Sequence, residues 1–390
     1  MSVCVLLTAA EASGDGLGAE LMKALKRRLG PDVRFVGVGG EAMAQEGLAS
    51  AFPIGELSIV GLVDGLFAFG RARRRARELA ALAERERPDV AVLIDSWGFS
   101  YLVARELRRR LPALPLVKYV APQVWATRPG RARALARSFD HLLSIIAFEP
   151  PIFEAAGVAT TFVGHPALGD VADRGGAERI RARLGFAPDD QVLLVLPGSR
   201  NAEIDRLMPP FADAVRRLKA QRPQLQLAVL AAPTVADKVV AQVAGWPFRA
   251  QVITDPAGKA DLMAAATVAL ACSGTATVEL AAAGCPMVVA YRLGPLSYLI
   301  AKRIVRTRYI TLFNIAADAE VAPELIQDAC TGPRLAHELA LRLDDADLRA
   351  RQVEAQDEAL ERLGRGRPPT AERAADAILQ MMSRRSGEAA

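Results

Sequence analysis

Two short segments of this chain have the residue types to hold a phosphorylated ligand. In the first, the apolar run Leu194-Val195-Leu196 breaks at Pro197-Gly198 and ends in Ser199-Arg200. A buried parallel strand ending there delivers backbone N–H groups, a hydroxyl and a guanidinium around a diphosphate. In the second, Ser273, Gly274, Thr275 and Thr277 open a helix whose N-terminal dipole favours an anion, and Glu279 stands one turn further along. A carboxylate at that point accepts from two ribose hydroxyls. Pro-Gly-Ser after a strand is also an ordinary turn, whereas helix capping alone needs a single Ser or Thr, so the second segment carries more of the weight. A nucleotide-bearing substrate is the first expectation.

These segments need sheets to position them. Residues 3–8, 33–37, 90–94, 116–120 and 141–146 read as apolar strands, with amphipathic helices at 17–29, 71–87 and 102–111. After a stretch rich in Gly, Pro and Asp at 164–176, a helix at 180–184 opens a second series, with strands at 192–196, 225–230, 251–254, 268–271 and 287–291. Apolar strands without alternation, each followed by a helix, imply parallel sheets covered on both faces that bind ligands at the carboxyl ends of their strands. A chain of 390 residues exceeds the usual size of one core. The expected fold class is therefore α/β: two doubly wound, Rossmann-like domains facing across a cleft. Residues 1–168 would form an acceptor and membrane-facing domain and 169–364 the nucleotide-binding one. The tail, 365–390, follows a Gly- and Pro-rich break and either returns to the first domain or is exchanged in a homodimer. Strand-end loops of the first domain carry Glu11, Ser13, Gly14, Asp15, Gly39, Gly40, Asp95 and Gln123, and those of the second carry Arg200, Ser273, Thr275 and Glu279.

Apolar residues make up 51% of the chain and aromatic ones 5%, which suits a helix-rich α/β protein and excludes a disordered one. The net charge is +5, and arginine runs at 71–77, 108–110 and 131–133 place the basic excess in the first half, where an anionic membrane would meet it. Without an aromatic stacking pattern, nucleic acid is not an expected partner. Cys4, Cys272, Cys285 and Cys330 lack C-x-x-C spacing and read as small buried hydrophobes. No cluster of His, Cys and carboxylates has metal-ligand spacing, so the expectation is transfer without a metal or other cofactor, Arg200 and helix dipoles doing the work of a cation. No apolar stretch approaches the roughly 18 residues that span a bilayer, and no secretory leader is recognisable, which suggests a cytoplasmic protein touching a membrane from one side at most.

Further segments, in order, resemble the lipid-A-disaccharide synthase family. Thr8 to Gly18 is similar to its opening A-G-E-x-S-G-D-x-x-G. Gly39-Gly40 with Met43, Ile94-Asp95-Ser96, Pro122-Gln123-Val124-Trp125-Ala126, Phe162-Val163-Gly164-His165-Pro166 and the two segments above follow. Pro286 to Tyr291, then Asn314 and Val321 to Leu325, complete the likeness, which runs nearly end to end. It implies the GT-B fold and an inverting transfer in lipid A biosynthesis. UDP-2,3-diacylglucosamine would give its sugar to the 6-hydroxyl of 2,3-diacylglucosamine 1-phosphate, forming a β-1,6 disaccharide 1-phosphate and UDP at the cytoplasmic face of the inner membrane. It also implies Asp95 as base or acceptor-orienting group and Arg200 as the neutraliser of the leaving diphosphate. Gly198, Ser199, Ser273, Gly274, Thr275, Thr277 and Glu279 would hold the UDP-sugar, with Asn314 near the same pocket. Ser13, Gly14 and Gln123 fall on the acceptor side. On residues alone, the other reading of Asp95, and the weaker one, is an N-cap or strand-end turn residue, Glu11 and Asp15 are rival bases, and His165 beside Pro166 reads as structural.

Where many family members have Pro and Asp, this chain has Trp97-Gly98, so a second carboxylate is missing. Leu62, Leu66, Phe67 and Phe69, followed by Arg71, Arg73 and Arg74, suit a segment that enters a lipid interface beside anionic headgroups; the other reading is a buried helix with a basic end. The alternative enzymes are a UDP-sugar 2-epimerase or a glycosyltransferase with a soluble acceptor. A silent lipid- or nucleotide-binding protein is the alternative from another class, and the presence of Asp95, Arg200 and Glu279 together argues against it.

Overall fold

The computed structural model describes residues 3–57, 65–127, 130–169, 175–255, 258–305 and 307–388. The chain divides into unit 1, residues 1–166 with 366–390, and unit 2, residues 167–365.

Unit 1 runs through β1 (Cys4–Thr8), α1 (Ala12–Leu29), β2 (Arg34–Val38), α2 (Glu41–Gln45), α3 (Gly65–Glu86), β3 (Val90–Ile94), α4 (Trp97–Arg110), β4 (Leu116–Tyr119), α5 (Gly130–Ala136), β5 (His141–Ser144), α6 (Pro150–Glu154) and β6 (Ala159–Phe162). Its six strands are all parallel, in the order β2-β1-β3-β4-β5-β6. Every residue of β1, β3 and β4 is buried, which is why these strands show no alternation. On one face lie Leu79 and Ala83 of α3 with Val103 and Leu107 of α4. On the other lie Leu21, Met22 and Leu25 of α1.

Unit 2 contains α7 (Gly176–Leu184), β7 (Val192–Leu196), α8 (Asn201–Gln221), β8 (Gln226–Leu230), α9 (Ala236–Ala244), β9 (Gln251–Ile253), α10 (Lys259–Ala265), β10 (Val268–Cys272), α11 (Thr275–Ala282), β11 (Met287–Tyr291), α12 (Pro295–Ile304), α13 (Leu312–Ala317), β12 (Glu324–Ile326), α14 (Gly332–Asp344) and α15 (Ala346–Arg362). Its sheet is also parallel, in the order β12-β11-β10-β7-β8-β9. The last helix, α16 (Thr370–Glu388), belongs to unit 1, where Ala371, Ala374, Ala375 and Ile378 join the α1 side of the core. Arg27 and Arg28 of α1 also reach Glu372 and Asp376. Such exposed ion pairs are screened by solvent and add little, whereas burying Ile378 alone contributes about 2 kcal/mol. The apolar stripe, rather than the charges, docks α16.

In each sheet the strand order reverses once, between β1 and β3 in unit 1 and between β7 and β10 in unit 2. Loops leaving two such neighbours diverge and open a crevice at the carboxyl ends. The first crevice is bordered by Glu11 and Asp95, the second by Arg200 and Ser273. Among the described residues, no helix is long and apolar enough to cross a membrane.

Candidate functional site

The crevice of unit 2 is a pocket of about 370 Å³. Gly198, Ser199 and Arg200 line it after β7, and Ser273, Gly274 and Thr275 line it where α11 begins; Glu279 and Lys259 complete the wall. Two helices, α8 and α11, start at this wall; α11 lends it a positive end, whereas that of α8 is met by its own Glu203 carboxylate. Lys259 was not singled out from sequence, yet its ammonium lies 2.5 Å from Glu279 Oε2. The Arg200 side chain is 74% exposed, with Nη1 3.0 Å from Glu203 Oε1. Two cations beside a carboxylate and several hydroxyls can take an anion that also carries a hydroxyl pair.

Three expectations for this unit need correction. The amides of Ser199 and Arg200, expected to cradle phosphate, instead donate to Glu203 Oε2 at 2.9 and 3.2 Å. Glu203 stands at the third position of α8 and reaches back to the first amides, the acidic half of a capping box. Gly198 has φ +116°, and a Cβ there would sit 2.6 Å from the same carboxylate oxygen, so only glycine fits. The Thr277 hydroxyl is buried and donates to the Gly274 carbonyl at 2.7 Å, holding the first turn of α11 rather than a ligand. Asn314 is fully buried away from the pocket lining: its Nδ2 donates to Ala322 O at 2.8 Å and Glu324 Oε1 at 2.9 Å, and its Oδ1 accepts from Ala322 N. It ties α13 to the β12 entry because an amide can satisfy a donor and an acceptor at once.

In unit 1, Asp95 and Ser96 follow β3 with φ +46° and +36°. Left-handed backbone costs a non-glycine residue about 1–2 kcal/mol, and such strain concentrates at functional sites. Asp95 is half-buried at the crevice, with the exposed Glu11 and Ser13 beginning α1 across it. Gly14 packs at the start of α1 beside Ala9 and Ile94, where a Cβ would make ordinary contacts of 3.4 Å to Ala9 Cβ and 3.7 Å to Ile94 Cγ2. Gln123 is exposed beyond β4. Trp97, in place of the family's usual proline, stacks on Tyr101 at 5.3 Å.

Asp15 is not a rival base. Its buried carboxylate accepts from the amides of Gly40 (2.7 Å), Ala42 (2.9 Å) and Met43 (3.1 Å), capping α2 from another element. Asp15→Asn puts an amide donor against those donors and is expected to lower the unfolding free energy by about 2–3 kcal/mol. Denaturant titration checks this, and kcat per folded molecule should stay within about threefold of wild type.

Glu149, also missed from sequence, is buried behind the Gln123 loop. Its Oε1 accepts from Trp125 Nε1 at 3.0 Å, and Oε2 lies 2.5 Å from Ser144 Oγ. The Ser144 hydroxyl also has the Ile146 carbonyl to satisfy at 2.8 Å and owns a single hydrogen. A protonated Glu149 supplies the missing one. Burial raises this carboxyl to about 7, against the Ser144 and Trp125 bonds that pull it down. A group raised on folding stabilises below its unfolded value, and that contribution is lost as pH climbs from 4.5 through about 7. Glu149→Gln mimics the neutral acid. It is expected to melt higher than wild type at pH 8, by up to about 3 kcal/mol in stability, with the advantage gone near pH 4.5 in paired thermal scans. His165, buried, is pulled down to about 4 by its surroundings and is a neutral structural residue.

At the start of α3, Phe69 is 58% exposed and Arg71, Arg73 and Arg74 are exposed, whereas Arg75 turns inward to Glu56 and lies 4.7 Å over the Phe52 ring. Leu62 lies outside the described residues, as do the side chains of Leu66 and Phe67.

A family model for Lipid-A-disaccharide synthetase matches residues 5–378. The lipid-A-disaccharide synthase of Rhodospirillum centenum is 43% identical over 381 residues, covering 98% of this chain and 95% of that protein. Among solved structures, the S. aureus MnaA–UDP co-structure has a TM-score of 0.65 at 13% identity, over 97% of this chain and 95% of that one. UDP-GlcNAc 2-epimerase from Neisseria meningitidis, bound to UDP-GlcNAc, has a TM-score of 0.60 at 9% identity, over 98% and 100%. Likeness at such identities speaks for the two-domain α/β fold alone, whereas the sequence match is close and nearly end to end. This chain belongs to the lipid-A-disaccharide synthase family.

Proposed function

We propose that this chain transfers 2,3-diacylglucosamine from UDP-2,3-diacylglucosamine to the 6-hydroxyl of 2,3-diacylglucosamine 1-phosphate, forming the β-1,6 disaccharide 1-phosphate and UDP. Its family makes it a glycosyltransferase of lipid A biosynthesis. The observation that carries the assignment of roles is the unit 2 pocket, which Arg200, Lys259, Glu279 and the N-terminus of α11 line together.

In a single displacement the acceptor O6 passes its proton to Asp95 and attacks the anomeric carbon. The bond from that carbon to the diphosphate oxygen breaks with its electron pair, and UDP departs. Arg200 and Lys259 take up the charge that grows on the diphosphate. Glu279 accepts from the ribose hydroxyls, and the Ser199, Ser273 and Thr275 hydroxyls with Gly198 and Gly274 border the phosphates. Glu11, Ser13, Gly14 and Gln123 border the acceptor. Phe69, with Leu62, Leu66 and Phe67, enters the cytoplasmic leaflet of the inner membrane while Arg71, Arg73 and Arg74 meet its anionic headgroups, which brings acylated substrates within reach. A homodimer exchanging α16 preserves the contacts that helix makes with α1.

Purified protein in mixed detergent micelles is expected to release UDP and disaccharide in equal amounts, and only with acceptor present. UDP release without acceptor would replace this reading with hydrolysis or epimerisation.

A further inference from the structure

Of the six non-glycine residues with left-handed backbone among those described, three surround one side chain. Asp95 and Ser96 follow β3, and Val120, at φ +70°, follows β4. A β-branched residue in that region is a true outlier, so something must hold these two strand ends in place. Lys118 of β4 is 1% exposed. Its Nζ donates to the carbonyls of Leu93 (3.2 Å), Tyr119 (3.2 Å) and Asp95, and it lies 3.4 Å from Ser100 Oγ. The Ser100 hydroxyl in turn donates to the Asp95 carbonyl at 2.7 Å. The Asp95 amide donates to Tyr119 O at 2.9 Å, so the same strand ends are tied twice.

Three ammonium hydrogens match three carbonyls, whereas a neutral amine turns a lone pair against one of them. A charge buried in a sheet core is costly, and an apolar residue at position 118 would pack there without that cost. The expense is met at the point where the strained turn carries Asp95.

We infer that Lys118 is a positioning residue for the reaction: its buried ammonium ties the carboxyl ends of β3 and β4 together and fixes the left-handed turn that presents Asp95. This rests on the reading of Asp95 as the base. Burial brings Lys118 down to about 7, opposed by the Asp95 charge. Asp95 is the charged group acting on it among the described residues; α4 contributes the Ser100 hydroxyl and β4 the Tyr119 carbonyl. The clamp therefore loosens as pH rises through that value.

Steady-state kinetics of wild type and Lys118→Met between about pH 6 and 9 test this. Wild type is expected to lose kcat on the alkaline side with a midpoint near 7. Lys118→Met should lack that limb and have kcat about 30- to 100-fold lower near pH 6.5, the donor KM staying within about threefold. Partial misfolding scales kcat but leaves the shape of the profile alone. Ser100→Ala removes one donor to the Asp95 carbonyl without emptying the core and is expected to lower kcat about fivefold. Wild-type kcat in Lys118→Met, or a profile of unchanged shape, overturns the proposal. Should that variant fail to fold, wild-type kcat in Ser100→Ala overturns it instead. A fully active Asp95→Asn would sink the base reading; an inactive Asp95→Asn beside an active Lys118→Met sinks the positioning role alone.

Discussion

Asp95→Asn is expected to lower kcat about a thousandfold, the contribution of a well-placed general base, while donor KM stays within about threefold and the melting temperature is unchanged. Asparagine is the informative substitution because of the backbone. Position 95 has φ +46°, a conformation that Asn tolerates as Asp does and that Ala resists. The Ser100 bond to its carbonyl and the side-chain volume persist, and a comparison on the acid side keeps Lys118 charged; the charge that accepts a proton does not persist. Asp95→Ala would confound lost chemistry with a distorted turn. Glu11 is the control: it is exposed at the N-cap of α1 and is the remaining rival carboxylate of the α1 turn once Asp15 is spent on α2. If Asp95→Asn is active and Glu11→Gln is not, the base lies on α1.

The central strands of both sheets were legible because full burial on two faces writes them as unbroken apolar runs. The edges were not. The strands β6 (Ala159–Phe162) and β12 (Glu324–Ile326) are half-exposed, and a short mixed run of that kind has no periodicity to read. The helix α1 begins at Ala12 instead of the expected Leu17, because Ser13-Gly14-Asp15-Gly16 resembles a loop until Gly14 is seen packed between Ala9 and Ile94.

The site divides along the same line. Residue types and spacing brought Arg200, Ser273, Thr275 and Glu279 to one pocket, since local chain geometry decides where strand ends lead. What spacing cannot decide is which polar side chain faces a ligand and which faces the protein's own backbone. Asp15 serves amides 25 to 28 positions away, and Asn314 serves Ala322 and Glu324; both partners are set by tertiary packing. Lys118 and Glu149 did leave a signal, a charge among strand or turn residues with no reason to be exposed. Glu203 left one as well, an acid three positions after a helix N-cap.

Arg200→Ala is expected to lower kcat by about two to three orders of magnitude, the size of losing one preorganised contact to a developing anion, with UDP affinity falling only about tenfold. The inequality is the argument. Negative charge on the diphosphate oxygen grows as its bond to the sugar breaks, so a guanidinium beside it gains more in the transition state than in the ground state. Stability should hardly change, because the side chain is 74% exposed and its partner Glu203 keeps the Ser199 and Arg200 amides when the guanidinium is gone. Arg200→Lys restores a charge but not a planar fork and should recover only part of kcat. Calorimetric titration with UDP beside steady-state rates separates the two effects. A variant whose KM rises while kcat holds would make Arg200 a uniform binder of nucleotide, and stabilisation of the leaving group would then fall to Lys259 and the N-terminus of α11.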